Sequence, residues 1–163
     1  AVTRTAVTRT AAGHAGADRD VAVVPTRSPV QGLAALAVGD PDRPFADDVA
    51  AMAVAAGAAR YAALTRAVRP AGTPAGPVRA GDVLGLLGDE VVVVGPEVHP
   101  VATGLLERML AGGGELVTLV VGANCPPDLP DRLVAHLAAV APSVEVVTYD
   151  GGQPHYPLLM GVE

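Results

Sequence analysis

The residues best suited to bind a ligand lie in a short segment that ends at the start of a predicted helix. Thr26, Arg27 and Ser28 supply two hydroxyls and a guanidinium, and Gln31 adds an amide one turn later. Ligands often bind at a strand–turn–helix junction, because the first N–H groups of the helix are free and its dipole is positive there. A capping box explains the same residues without a ligand, with Ser28 capping the helix and Gln31 reaching back. Both interpretations stay open at this point.

A second group of polar side chains lies near the end of the chain. Gln153, His155 and Tyr156 stand between a glycine pair at 151–152 and an apolar run at 158–162. Glycine and proline in this stretch predict a rigid turn that leads into a buried terminal strand. We predict that the three polar residues contact a protein partner rather than a substrate.

The other residue types that could carry chemistry are few. Cys125 can act as a nucleophile only if a base folds beside it, and a small apolar residue at a strand end is the alternative interpretation. The four histidines are scattered without zinc spacing, so we predict no metal site. All basic residues are arginine, which excludes the lysine of a phosphate-binding loop and Schiff-base chemistry.

The amino-acid composition indicates which kinds of partner and which cellular location to expect. The formal net charge of -6 makes nucleic acid an improbable partner. A single cysteine cannot form an internal disulfide, which fits a reducing, cytoplasmic location. The apolar run at 116–121 is too short to span a bilayer, which needs about 20 residues. With 50% hydrophobic but only 2% aromatic residues, the core must consist of closely packed Val, Leu and Ala.

Residues 20–60 are predicted to form a partial Rossmann-like lobe. An apolar run at 20–24 is typical of a buried strand, and a capped helix is expected at 31–38. A second helix starts at Pro44. Its predicted apolar face consists of Phe45, Val49, Met52 and Ala56. Residues 1–19 hold a tandem Ala-Val-Thr-Arg-Thr repeat, are compatible with a helix and look like the end of a fragment.

Residues 61–163 are predicted to form an α+β lobe with helices packed on a sheet. A strand at 61–68 is followed by an irregular loop at 69–77, because three prolines and two glycines deny that stretch regular hydrogen bonding. The elements expected next are a hairpin turning at Gly88-Asp89, a helix ending at 112–114, a strand at 116–121, a helix opening at Asp128, a strand at 144–149 and the terminal strand. This order predicts an α/β fold class with right-handed crossovers.

Three stretches together resemble one protein family. They are Val23-Val-Pro-Thr-Arg-Ser-Pro-Val-Gln-Gly-Leu-Ala-Ala-Leu, then Gly81-Asp-Val-Leu-Gly-Leu-Leu, and finally Gly114-Glu-Leu-Val-Thr-Leu-Val-Val-Gly with the closing Gly151-Gly-Gln-Pro-His-Tyr-Pro-Leu-Leu-Met-Gly-Val-Glu. They look like the C-terminal region of bacterial fatty acid kinase A proteins, which are dihydroxyacetone-kinase-like (Dak phosphatase) proteins. That region is in turn similar to the DegV-type lipid-binding fold, which implies a Rossmann-like lobe followed by an α+β lobe.

The resemblance implies a division of labour within a longer kinase. An N-terminal domain binds ATP and magnesium, a middle domain takes part in phosphoryl transfer, and the C-terminal region engages the partner that carries the acyl chain. This chain corresponds to the third part, so no cofactor and no activity of its own are expected. The expected partner is an acyl-carrying DegV-like protein, and a second copy of the chain is the other partner considered.

Three functions are consistent with these patterns. The leading one is a non-catalytic, partner-binding C-terminal domain. The first rival is a DegV-like lipid or small-molecule binding module that uses the segment from Thr26 to Ser28. Val30 stands where such carriers are expected to have a second hydroxyl, and Gly151-Gly-Gln-Pro-His replaces their His-Thr-Gly-type end motif, which argues against carboxylate binding. The second rival is an enzyme that uses Cys125.

Overall fold

The computed structural model describes residues 20–163, and its contacts divide the chain into two units. Unit 1 is Ala1–Ala59 and unit 2 is Arg60–Glu163. We describe each unit by itself. The helix considered for residues 1–19 lies outside the described residues.

The described part of unit 1 consists of two helices joined by a short loop. Helix α1 spans Pro29–Ala37, with the proline at its first turn, and α2 spans Phe45–Ala58. The loop is held to the start of α2 because the Arg43 guanidinium lies 2.9 Å from Asp48 Oδ1, and the same oxygen accepts the Asp40 N–H at 2.9 Å. A carboxylate in the first turn of α2 also interacts favourably with the helix dipole.

The predicted strand at 20–24 does not form. Val21 and Val23 are exposed, and no described residue pairs with this segment. A strand needs a neighbour for its backbone N–H and C=O groups, which an apolar run does not supply by itself. The Rossmann-like character of this lobe stays a prediction. The face predicted for α2 is also partly wrong, because Ala56 is buried whereas Phe45 is 48% exposed.

Unit 2 contains the sheet, and the α/β fold class is confirmed by it. Its elements are β1 (Arg60–Arg66), β2 (Ala71–Thr73), β3 (Gly76–Val78), β4 (Val83–Leu87), β5 (Glu90–Gly95), α3 (Val98–Leu110), β6 (Leu116–Val121), α4 (Leu129–Val140), β7 (Glu145–Asp150) and β8 (Leu158–Val162). Six strands form one mixed sheet in the order β5-β4-β1-β8-β6-β7, and β2 with β3 forms a separate ribbon. Among these strands, only β6 and β7 pair in parallel.

The ribbon overturns the irregular loop predicted at 69–77. Ala71–Thr73 pairs with Gly76–Val78, and Pro77 stands opposite Gly72. The chain reverses at residues 74–75. Gly76 begins the returning strand with φ 117°, and the Thr73 hydroxyl donates to its carbonyl at 2.8 Å. Proline is tolerated here because an edge strand does not need every N–H for a ladder. The proline content of this stretch therefore did not reveal that it forms a ribbon.

The hairpin between β4 and β5 is confirmed. Gly88 begins its two-residue turn with φ 61°, a conformation that favours glycine. The strand at 116–121 and the terminal strand at 158–162 also lie where they were predicted.

Helices α3 and α4 pack on the sheet and close the core of unit 2. The connections β5-α3-β6 and β6-α4-β7 both join parallel strands and both move in the same direction across the sheet, so crossovers of one hand place both helices on one face. The two helices contact each other there. The core residues that the helices supply are Val101, Leu105, Met109, Leu129, Leu133 and Leu137. Val140, the last residue of α4, is exposed.

The chain between α3 and β6 turns in very little space. The Arg60 guanidinium donates to the carbonyls of Met109 and Gly113, which gives the end of α3 partners for otherwise unpaired acceptors. Gly114 has φ 151°, and a Cβ there would overlap Val162 Cγ1. Glycine is therefore required at this turn by the neighbouring terminal strand.

Two glycine substitutions of the same size should change stability in opposite directions. We expect Gly114→Ala to lower the free energy of unfolding by about 1–3 kcal/mol, because it combines backbone strain with a clash. Gly104→Ala is the matched control, since Gly104 lies inside α3 with open space around its Cα. It should raise stability by about 0.5–1 kcal/mol. Urea denaturation followed by circular dichroism measures both, and a Gly114→Ala protein as stable as the original would contradict the packing described.

Candidate functional site

The residues singled out in the sequence fall into two groups that belong to different units. Thr26, Arg27, Ser28 and Gln31 lie in unit 1 at the start of α1. The other three lie in unit 2, in the loop between β7 and β8, which we call the tail loop (residues 151–157).

In unit 1 the predicted capping box does not form as expected. Ser28 occupies the N-cap position, but its hydroxyl makes no capping hydrogen bond. Gln31 does reach back, yet its Oε1 accepts the N–H of Arg27 at 2.8 Å rather than that of Ser28. Its Nε2 donates to the Ala59 carbonyl at 3.2 Å, at the end of the unit. Gln31 is thus occupied in holding the backbone, which the spacing alone did not reveal.

The Ser28 hydroxyl is the unusual feature of this helix start. The residue is only 7% exposed, and its Oγ has no hydrogen-bond partner among the described residues. Thr26 and Arg27 beside it are exposed. A buried hydroxyl without a partner costs about 1–3 kcal/mol of folding free energy, so such a group calls for an explanation.

In unit 2 the tail loop is held firmly against the segment that follows β6. The Gln153 Nε2 donates to the carbonyl of Val120 at 2.9 Å and to that of Tyr156 at 3.2 Å. The Asn124 Nδ2 donates to the Pro154 carbonyl at 2.9 Å. Further backbone bonds join the two segments, among them the N–H of Ala123 to the Gln153 carbonyl at 3.1 Å. Gln153 is therefore a positioning residue of the loop; a contact with a partner stays a prediction.

Gly122 makes this close approach possible. A Cβ on Gly122 would overlap the Tyr156 carbonyl oxygen and would stand 2.8 Å from the Gln153 carbonyl oxygen. Glycine at 122 was not noticed in the sequence as part of the site. Its position directly after a buried strand was the one feature that could have drawn attention to it. The loop that covers it is distant in sequence.

The tail loop and the strand before it, β7, carry exposed aromatic side chains. His155 and Tyr156 are exposed, and Tyr149 in β7 is 47% exposed. We call these three residues the tail surface. Tyrosines on a rigid backbone supply a large contact area at a low cost in conformational entropy, and they are enriched at protein interfaces.

Cys125 has the environment of an apolar residue rather than a nucleophile. Its side chain is half-buried and packs against the core of unit 2. Burial raises the pKa of the Cys125 thiol, and the nearby Asp128 carboxylate raises this pKa further. Because only the thiolate is strongly nucleophilic, both effects suppress its reactivity at neutral pH.

The structure also shows a groove that the sequence did not suggest. It has a volume of about 320 Å³ and lies in unit 2, where Arg66, His99 and Arg132 line it together with the carboxylates of Glu97 and Asp128. These residues come from β1 and from the starts of α3 and α4, so their meeting depends on strand order and direction. No local pattern of residues could have identified it.

Metal-binding clusters and membrane-spanning helices are both absent from the described residues. Between residues 20 and 163, no three His, Cys, Asp or Glu side chains come together in a way that could hold a metal ion. No helix in the same range is long and apolar enough to cross a membrane.

Unit 2 is thus a mixed α/β domain with helices on one face of its sheet, and comparison with known proteins gives the family of the chain. The family model for the C-terminal region of fatty acid kinase A-like (FakA-like) proteins matches residues 4–163. The chain belongs to this family.

Two similar proteins from staphylococci are much longer than this chain. An uncharacterised protein of Staphylococcus haemolyticus is 32% identical over 146 residues, which cover 90% of this chain and 26% of that protein. An uncharacterised protein of Staphylococcus aureus strain MRSA252 is 30% identical over 146 residues, or 90% of this chain and 27% of that protein. The chain therefore spans about a quarter of the length of the curated relatives it matches.

The role of Gln153 as a positioning residue can be measured through stability. We expect Gln153→Ala to lower the free energy of unfolding by about 1–3 kcal/mol, because the substitution leaves the partly buried Val120 carbonyl without its donor. His155→Ala is the control in the same loop; its side chain is exposed, so a change within about 0.5 kcal/mol is expected. Urea denaturation compares the two variants. Equal stabilities would show that the Gln153 amide does not hold the loop.

Proposed function

We propose that this chain is a non-catalytic, partner-binding C-terminal domain of a fatty-acid-kinase-type protein. The observation that carries the proposal is family membership over residues 4–163, in a chain that corresponds to only a quarter of its longer relatives. ATP, magnesium and the phosphoryl transfer belong in this proposal to the remainder of such a protein. A DegV-like arrangement, with a Rossmann-like first lobe, is part of the proposal, as is a cytoplasmic location.

The partner in this proposal is an acyl-carrying DegV-like protein, and the tail surface is the part of unit 2 that meets it. Its aromatic side chains are exposed while the loop backbone is held by hydrogen bonds. Binding to a loop that is already ordered loses little conformational entropy, which favours affinity. Tyr149 and Tyr156 are the expected anchors because interface hot spots are enriched in tyrosine.

Calorimetry with a purified acyl-carrying DegV-like protein from the same genome tests this proposal. We expect the double substitution His155→Ala/Tyr156→Ala to weaken binding at least about 30-fold, since an interface aromatic contributes about 2 kcal/mol or more. Val54→Ala is the control, because Val54 in unit 1 is 73% exposed and is not part of the tail surface. Unfolding curves check that the double variant keeps its fold.

Two results would contradict the proposal. One is equal binding by the double variant and the control, which would remove the tail surface from the interface. The other is transfer or hydrolysis of the ATP γ-phosphate by this chain alone, measured with radiolabelled ATP, which would remove the non-catalytic assignment.

A second candidate function is favoured by the unpartnered Ser28 hydroxyl. In this alternative the chain is a DegV-like lipid or small-molecule binding module, in which a polar ligand atom bonds to Ser28 Oγ at the start of α1. Ser28 is buried without a partner among the described residues, which fits a position that a bound group would complete. Thr26 and Arg27 would then border the ligand, and Gln31 would hold the backbone around it.

Substitution of Ser28 separates this alternative from ordinary helix capping. An N-cap that bonds to its helix costs about 1 kcal/mol when replaced by alanine, but the Ser28 hydroxyl makes no such bond. We therefore expect Ser28→Ala to leave the thermal midpoint of the ligand-free chain unchanged or higher. Native mass spectrometry should find an acyl ligand on the original chain and on the exposed control Thr26→Ala, but not on Ser28→Ala. A chain that carries no ligand, or a destabilised Ser28→Ala, would reject the alternative.

A further inference from the structure

The groove in unit 2 lies at one end of the sheet because of the direction of three strands. β1 and β5 are both antiparallel to β4, and β1 and β6 are both antiparallel to β8, so β1, β5 and β6 run the same way. Their carboxyl ends therefore lie on one edge. Arg66 is the last residue of β1, α3 begins just after β5, and α4 begins after the loop that follows β6. In open sheets covered by helices, ligands bind outside the carboxyl ends of strands.

The charges in the groove are only partly paired with each other. Arg132 Nη1 lies 3.3 Å from Asp128 Oδ2, so that carboxylate has a cation beside it. Arg66 Nη1 donates to the Gly81 carbonyl at 3.2 Å, and its guanidinium forms no ion pair with any residue between 20 and 163. An arginine has five N–H donors in a planar fork that matches carboxylate and phosphate oxygens. One backbone acceptor leaves most of that fork unused.

The remaining lining is mixed, because apolar residues lie beside His99 and Glu97; they are Pro96, Val98, Pro126 and Leu129. His99 contributes an imidazole from the first turn of α3, and neither α3 nor α4 has a side-chain cap. The positive end of the α3 dipole therefore adds to the charge of Arg66. At the start of α4 the Leu129 N–H already donates to the Pro126 carbonyl at 3.1 Å, and Pro130 has no N–H. Glu97, the N-cap residue of α3, lines the same groove, and its side chain makes no capping hydrogen bond. Its negative charge opposes the positive charge of Arg66.

We propose that this groove binds an oxyanion, a phosphate or carboxylate group, with Arg66 as the main ligand and with His99 and Arg132 beside it. The guanidinium fork of Arg66 holds two oxygens of the anion. Glu97 limits the affinity and favours anions that approach from the Arg66 side. The proposal does not depend on the tail surface or on a protein partner.

Titration of the isotope-labelled chain with inorganic phosphate, at constant ionic strength, tests this inference by nuclear magnetic resonance. We expect the amide signals of Val98, His99 and Leu129 to shift together. Arg66→Gln should weaken phosphate binding about tenfold, because it removes a charge-assisted bidentate contact. Arg66→Lys keeps the positive charge but lacks the guanidinium fork, so its affinity for phosphate should lie between that of the original chain and that of Arg66→Gln. Removal of the opposing charge by Glu97→Gln should strengthen binding.

Arg79→Gln is the matched control, because Arg79 is exposed in unit 2 and does not line the groove. It removes the same charge and should leave phosphate binding unchanged. A parallel titration with acetate identifies the source of the anion: equal binding of acetate points to carboxylates, and binding of phosphate alone points to phosphate groups. The inference is overturned if neither anion shifts these signals, or if Arg79→Gln weakens binding as much as Arg66→Gln. Thermal unfolding of each variant verifies that the fold is intact.

Discussion

The insertion of the last strand into the middle of the sheet is the constraint on which unit 2 depends. β8 pairs antiparallel with β1 on one side and with β6 on the other. It joins a hairpin half, β5-β4-β1, to a crossover half, β6-α4-β7, and all five of its residues are buried. The C-terminal Glu163 continues the seam, since its carbonyl accepts the N–H groups of Glu115 and Leu116. Without β8 the two halves have no backbone hydrogen bonds to each other within the sheet.

The same insertion places the tail surface. β7 lies outside β6, whereas β8 lies on the other side of it, so the tail loop must cross the end of β6. That crossing explains why Gly122, directly after β6, has no room for a side chain, and why Gln153 bonds to the Val120 carbonyl beneath it. The position of the loop, and of the exposed aromatic residues on it, is thus a consequence of strand order. A loop that passes over the end of a strand can bond to that strand on one side and expose side chains to solvent on the other.

The three candidate surfaces differ in what their local physics can support. At the start of α1 a buried hydroxyl lacks a partner, in the tail loop aromatic residues stand on a fixed backbone, and in the groove a guanidinium lacks a carboxylate, each judged within residues 20–163. The first suits a polar ligand atom, the second a protein, and the third an anion. At Cys125, the one thiol of the chain, burial works against an activated nucleophile. This distribution supports the proposal that the chain serves in binding rather than in catalysis.

What the sequence determined by itself is the position of most helices and strands of unit 2. Leu129, Leu133 and Leu137 recur at helical spacing, and the run at 116–121 is continuously apolar, so both could be assigned from local pattern, as could the turn at Gly88. Tertiary structure alone decided which strands are neighbours. Residues 20–24 form no strand, and the proline-rich stretch at 71–78 forms a ribbon. Gln31 bonds to the backbone of Arg27 and Ala59. Arg66 lies beside the N-terminal ends of two helices. The reason is physical: burial periodicity is written along the chain, whereas hydrogen-bond partners and charge neighbours come from residues far apart in sequence.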